Sequence, residues 1–208
     1  MTTDPLRSPL SPGGPMSVED YLRLDWSTPN AKYEYLDGVA RLMSGGSVGH
    51  DRIARNVAHF IEEHFLSGPC TVFGSDVQVL IGLKANGKEN YVYPDATVSC
   101  DVSDRRRDNK LIRSPRIVVE VLFPSTEPVD RGKKLKAYQA CESIQEIVLI
   151  SQFARHVEVY RRGEEDETSW SYVIYGPDET VELSSVDVFL TIDEIYRGIN
   201  FDEELLEE

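Results

Sequence analysis

One acidic residue inside an apolar strand constrains this chain more than any other feature. RIVVEVL, residues 116–122, is dense in β-branched side chains, as expected of a central strand, and Pro124 with Ser125 ends it. Glu120 interrupts that run. A carboxylate buried there without a partner costs roughly several kcal/mol, enough to shift its pKa rather than leave it charged. Period-2 geometry puts Glu120 on one face with Val118 and Leu122, so that face is expected to open at Glu120 onto a metal ion or a cationic side chain. The competing reading is an edge strand with Glu120 in water.

A second acid strengthens the first reading. Asp95 follows Pro94 and precedes the strand-like ATVSC, so it lies at a strand beginning where its side chain can project into a cleft. Alone it reads as a turn residue. Paired with Glu120 on a neighbouring strand, it supplies the oxygen ligands that a hard cation such as Mg²⁺ takes, with waters and phosphate oxygens completing the octahedron. A cation follows in the helix expected over residues 130–142. Taking Tyr138 as inward, Lys134 lies about 40° from it, Arg131 about 20° and Leu135 about 60°, whereas Lys133 and Lys136 point the opposite way. Lys134 can therefore face the sheet or, alternatively, snorkel to the surface.

The rest of the chain reads as one domain, residues 16–200, between a disordered leader and an acidic tail. Residues 1–15 hold Pro5, Pro9, Pro12 and Pro15 with Gly13 and Gly14, and residues 201–208 include five acids. Ser17 caps a short helix expected to end before Pro29. Asp37-Gly38 turns the chain between two apolar stretches. Ile53, Val57, Phe60, Ile61 and Phe65 mark a main helix over 47–66, stopped at Gly68-Pro69. Residues 71–81 and 91–100 read as two strands joined by KANGKEN, and the arginine-rich segment 104–114 as polar loop. Three strands then follow in QEIVLIS, RHVEVYRR and SWSYVIYG, with a short helix at 191–198. This order implies an α/β or α+β fold around a mixed sheet.

Composition limits the function. No run of about 18 apolar residues could span a bilayer, and the N-terminus lacks a signal-peptide core, so a cytoplasmic location without membrane partners is expected. Cys70, Cys100 and Cys141 form no CxxC pair and read as buried free thiols rather than a disulfide framework or zinc site. The net charge of −14 argues against tight sequence-independent DNA binding. Positive charge is nevertheless concentrated locally, in Arg105, Arg106, Arg107, Lys110, Arg113 and Arg116. SGGSVGH, residues 44–50, lacks the Gly-Lys-Ser/Thr ending of a phosphate loop and reads as a turn with Ser47 capping the main helix.

YEYLDG, a helix opened by His50, FGSDVQV, YPDATVSC, VVEVLFPSTEPVDRGKKLKAYQ and IQEIVLI together resemble the Uma-type restriction endonuclease family of the PD-(D/E)xK nuclease superfamily, over residues 17 to about 190. The resemblance implies a restriction-endonuclease-like mixed β-sheet core flanked by helices. It also implies Mg²⁺- or Mn²⁺-dependent hydrolysis of DNA phosphodiester bonds. Asp95 matches the superfamily's Asp and Glu120 its second acid, with the Val121 carbonyl as a further metal ligand. The superfamily's lysine two residues after the second acid is absent, Leu122 standing there, and Lys134 matches the family's lysine in the following helix. Glu34 matches an additional acidic position; His50 and Gln78 match recurrent positions without an assigned chemistry. A homodimer is expected by analogy with double-strand cutters. The alternative is an inactive member of the fold acting as a binding or regulatory module.

Overall fold

The computed structural model describes residues 13–28, 30–43, 45–66, 68–82 and 89–201. Most of the proline-rich leader, Leu83 with residues 84–88 of the KANGKEN connection, and the acidic tail from 202 lie outside the described residues.

Two sheets carry the fold. The first runs in the order β2 (Val39–Leu42), β1 (Tyr33–Leu36), β5 (Asn90–Val92), β4 (Gln78–Ile81) and β7 (Leu111–Ile112). The second runs β11 (Trp170–Tyr175), β10 (Val157–Arg162), β9 (Glu146–Ser151), β8 (Pro115–Leu122), β6 (Ala96–Ser99) and β3 (Thr71–Gly74). The β-branched run is thus a central strand, parallel to β9 and antiparallel to β6. A separate hairpin pairs β12 (Thr180–Leu183) with β13 (Val188–Thr191). The helices are α1 (Val18–Ser27), α2 (Val48–His64), α3 (Glu127–Val129), a π-turn (Asp130–Lys134), α4 (Leu135–Gln139) and α5 (Ile192–Ile195). The architecture is mixed α+β.

Local chemistry explains most of these boundaries. The Ser17 and Ser47 hydroxyls accept from main-chain N–H groups in the first turns of α1 and α2, as N-caps do. Asp37 and Gly38 both take positive φ, the requirement of the tight turn joining β1 to β2. Thr191 and Glu194 form a reciprocal capping box on α5.

Several expectations need correction. Residues 71–81 and 91–100 are not two strands but four. A turn after Gly74 and the Tyr93–Asp95 break send β3 and β6 to one sheet and β4 and β5 to the other. Pro94 has no N–H to continue a ladder, which favours that break. Leu111–Ile112, within the supposed loop, pairs in parallel with β4, and the hairpin over 180–191 was not anticipated at all. The helix expected over 130–142 occupies 127–139, begins with Pro128 in its first turn and contains the π-turn. Cys70 and Cys100 are joined in a disulfide rather than free, and only Cys141 is a buried free thiol among the described residues. The physical reason is register: Thr71 lies opposite Ser99, so the next pair outward is Cys70 and Cys100, with Cα atoms 3.9 Å apart.

Alternation along β8 divides the interior. Ile117, Val119 and Val121 face α2, the β12–β13 hairpin and α5. Val118 and Leu122 face Tyr138, Ile144 and the first sheet's Leu36, Val79, Val92 and Ile112. The first sheet's outer face, with Tyr33, Tyr35, Leu80 and Tyr91, packs on Tyr21 of α1. Glu120 belongs to the second of these interiors, between the two sheets.

Candidate active site and metal centre

Strand alternation aims Glu120 into the interlayer space, where it is 5% exposed. The same alternation aims Glu34 of β1 at that space from the other sheet, because Tyr33 and Tyr35 on either side of it face α1. From the helical segment between them, Lys134 inserts its ammonium, 2.7 Å from Glu120 Oε1 and 2.9 Å from Glu34 Oε1. Asp130, one helical turn back, places Oδ1 3.5 Å from the same nitrogen. The Tyr138 hydroxyl donates to Glu120 Oε1 from one turn further on. Lys134 is 3% exposed, so three carboxylates converge on one buried cation.

Asp95, immediately before β6, closes the centre. Ala96 lies opposite Val119, so extending the antiparallel register by one residue brings Asp95 beside Glu120. Its Oδ2 accepts from the Val121 N–H at 2.7 Å and lies 3.3 Å from Nε2 of His50. His50 arrives from the first turn of α2, on the opposite side of the sheet from Lys134. Gly46 makes that approach possible: a Cβ there would stand 2.6 Å from His50 Nδ1. Residues 45–50, GGSVGH, therefore both cap α2 and clear space for the imidazole.

The electrostatics follow from crowding acids around one ammonium. Burial pushes the Glu120 pKa up; Lys134 pulls it down, while Asp130, Asp95 and Glu34 push it up again, leaving it well above the usual carboxylate range. Burial likewise raises Asp130, with Lys134 and the Thr126 hydroxyl opposing. For Lys134 burial acts downward, but Glu120, Tyr138, Glu34 and Asp130 more than offset it, so the ammonium stays charged. The hydrogen bond to Asp95 raises the His50 pKa against its burial, helped by a bond to the Val121 main chain. Glu34, Glu120 and Asp130 thus share one ammonium, with Asp95 beside them, so carboxylates outnumber the cation they surround. A divalent cation is the most direct compensation for such a surplus, and the donors are the hard oxygens that Mg²⁺ or Mn²⁺ takes. Among the described residues no three His, Cys, Asp or Glu side chains form a ready-made cage. Two carboxylates, a carbonyl oxygen and solvent or substrate oxygens satisfy Mg²⁺ without one.

Residues 18–193 match the model of the Uma2 family, described as "Putative restriction endonuclease". The chain belongs to the Uma2 family. Relatives of this Uma2 protein include two uncharacterized proteins of Synechocystis. One is 34% identical over 194 residues, covering 93% of this chain and 98% of the relative. The other is 25% identical over 148 residues, covering 71% and 81%. A crystal structure from Anabaena variabilis, described as "a putative nuclease belonging to DUF820", superposes with a TM-score of 0.70 at 18% identity, covering 88% of this chain and 98% of that one. That likeness supports the fold.

In this Uma2 chain the residues singled out in the sequence do gather: Glu34, Glu120 and Lys134 in one ion cluster, Asp95 on the main chain beside Glu120, and His50 on Asp95. Gln78 does not join them. Its Nε2 lies in a neighbouring buried network, 2.8 Å from the Tyr21 hydroxyl, 3.1 Å from Asp25 Oδ2 and 3.1 Å from the Tyr93 hydroxyl. Tyr93 connects the two, since its N–H donates to Glu34 Oε1. Sequence reasoning missed Asp130 and the Tyr138 hydroxyl. The signal was available: 130, 134 and 138 recur at the four-residue spacing of one helix face.

Proposed function

We propose that this Uma2 protein is an endonuclease that hydrolyses DNA phosphodiester bonds with Mg²⁺ or Mn²⁺. The observation that carries the proposal is the surplus of buried carboxylates around a single lysine. Asp95, Glu120 and the Val121 carbonyl would hold the ion. When bound, a divalent ion polarises the scissile phosphate and lowers the pKa of a coordinated water.

The chain's own residues supply the rest. The Val121 N–H and His50 fix the Asp95 carboxylate. Glu34 and Asp130 hold the Lys134 ammonium beside Glu120, where it stabilises negative charge developing on the phosphate or orients the attacking water. Tyr138 orients Glu120. Cutting both strands of a duplex calls for two such sites, hence a homodimer.

The excess of 36 acidic over 22 basic residues favours a second reading, an inactive fold member used as a binding or regulatory module. Incubation of purified protein with supercoiled and linear DNA in Mg²⁺ or Mn²⁺ separates the two. The expected result is cutting by the wild type, none by Asp95→Ala or Glu120→Ala, and a loss of about 10²–10³-fold for Lys134→Ala. Equal cutting by wild type and variants, or none by any, with no calorimetric signal for metal binding, rules out the hydrolytic reading.

A further inference from the structure

Arg41 of β2 carries no assignment, yet its surroundings single it out. In the hairpin register it lies directly opposite Glu34, so the two side chains leave the same face of the first sheet. That face is the one turned toward Glu120 and Lys134; Ala40, the next residue, packs instead in the α1 interior opposite Tyr35. Despite this proximity the guanidinium forms no ion pair with Glu34, whose Oε1 is taken by Lys134 and by the Tyr93 N–H.

Three buried polar side-chain atoms lack a partner among the described residues: Arg41 Nη1, Gln152 Nε2 and Ser185 Oγ. The other two belong to neutral side chains already tied to neighbours, Gln152 through its Oε1 to Ser47 and Ser185 through its main chain to Glu146. Only Arg41 is charged. A guanidinium offers five N–H donors in a planar fork, and in half-buried Arg41 the enclosed Nη1 has no acceptor. Its best complement is an anion with two coplanar oxygens.

Resting on the nuclease reading, we infer that Arg41 is a substrate-positioning residue that grips a phosphate oxygen of the nucleic-acid strand at the carboxylate centre. A phosphodiester fits better than a carboxylate ligand here. Four acids already crowd the centre, and the substrate anion of the proposed reaction is the one expected to arrive with a compensating cation. Arg41 sits on an edge strand of its sheet, at the border of the interlayer site rather than in its depth, which suits contact with a long polymer.

The test compares wild type with Arg41→Gln and Arg41→Lys on a fluorescently labelled DNA duplex, by anisotropy in Ca²⁺ and in EDTA over a range of salt, with thermal melting as the folding control. Arg41→Gln is expected to weaken binding about tenfold or more and to lower the magnitude of the log Kd against log salt slope by about 0.9, the loss of one phosphate contact. Arg41→Lys should restore the slope but not the full affinity, because an ammonium keeps the charge and loses the fork. A merely structural role would shift melting and leave the slope alone. Unchanged affinity and slope, or no DNA binding by wild type, overturns the inference. Cutting by Arg41→Gln at unchanged KM overturns it while sparing the nuclease reading. Arg41-dependent binding without cutting in Mg²⁺ or Mn²⁺ removes the hydrolytic reading and leaves the phosphate contact standing.

Discussion

Lys134 is the residue on which the interior between the two sheets depends. Glu34, Glu120 and Asp130 all face its ammonium, and none could remain ionised there without it at tolerable cost. Lys134→Met keeps the stem and removes the charge, so about 3–5 kcal/mol of stability should be lost in urea unfolding at neutral pH. Tyr138→Phe removes one buried hydrogen bond to Glu120 and should cost about 1–3 kcal/mol by the same measurement, because the carboxyl is left without that partner. The lysine's identity was legible because helical periodicity places 134 and 138 on one face. Its Asp130 partner was overlooked because the sequence reading sought one cation for two acids, whereas the structure collects more acids than its cation can balance.

The helical segment over 127–139 positions that lysine, and its geometry departs from the uniform 100° per residue assumed from sequence. Lys134 ends the π-turn and Tyr138 follows in α4, and their expected common face holds, since both meet Glu120. Arg131 lies inside the turn, where i→i+5 bonding changes the phase. It still faces the sheet, forming two hydrogen bonds to buried Glu158 of β10, at 2.7 and 2.8 Å, and a third to Glu127 at 2.7 Å. This pair ties the helix to the second sheet. Burial raises the Glu158 pKa, but hydrogen bonds from Arg131 and His156 outweigh it and the net shift is downward. The sign follows: stability from Glu158 is fully present above its unfolded pKa near 4.5 and is lost as pH falls through the depressed folded value. Glu158→Gln should therefore be less stable than wild type at pH 7, with the gap closing below pH 4.5 in chemical denaturation.

A second element-scale link is the Cys70–Cys100 disulfide between the ends of β3 and β6, the strand that Asp95 precedes. Closing a loop of this length stabilises by about 2–4 kcal/mol, so reduction or Cys70→Ser should lower the melting temperature. Spacing in the sequence could not show the bond, because two cysteines 30 residues apart become neighbours only through sheet register.

At the scale of the whole molecule, charge sets the terms of any encounter with DNA. A net −14 leaves few surfaces where phosphates are welcome. Arg106, Arg107, Lys110 and Arg113 are exposed, while Arg105 is engaged by the Pro69 carbonyl and Arg116 by that of Ser185. If those four groups make the phosphate contacts, the log–log salt dependence of DNA affinity should be shallow, a slope of magnitude about 3 to 4. Anisotropy titrations at several salt concentrations measure it; a slope near 10 would require many more basic contacts than the 106–113 segment offers. No helix among the described residues is long and apolar enough to cross a membrane.

Sequence by itself determined the Ser17 and Ser47 caps and the Asp37-Gly38 turn, because each follows from a single residue's backbone preference, and it offered the central strand and the inward Lys134 beside an edge strand and a snorkelling lysine. The anomaly of Glu120 was likewise local, a charge where only apolar side chains belong. Tertiary structure alone decided how residues 71–81 and 91–100 divide between two sheets, which cysteines meet, which acid Arg131 pairs with and that Glu34 and Arg41 arrive from a separate sheet. Those outcomes depend on register and packing between segments distant in the chain, where many pairings have similar local energies and only the assembled interior selects one.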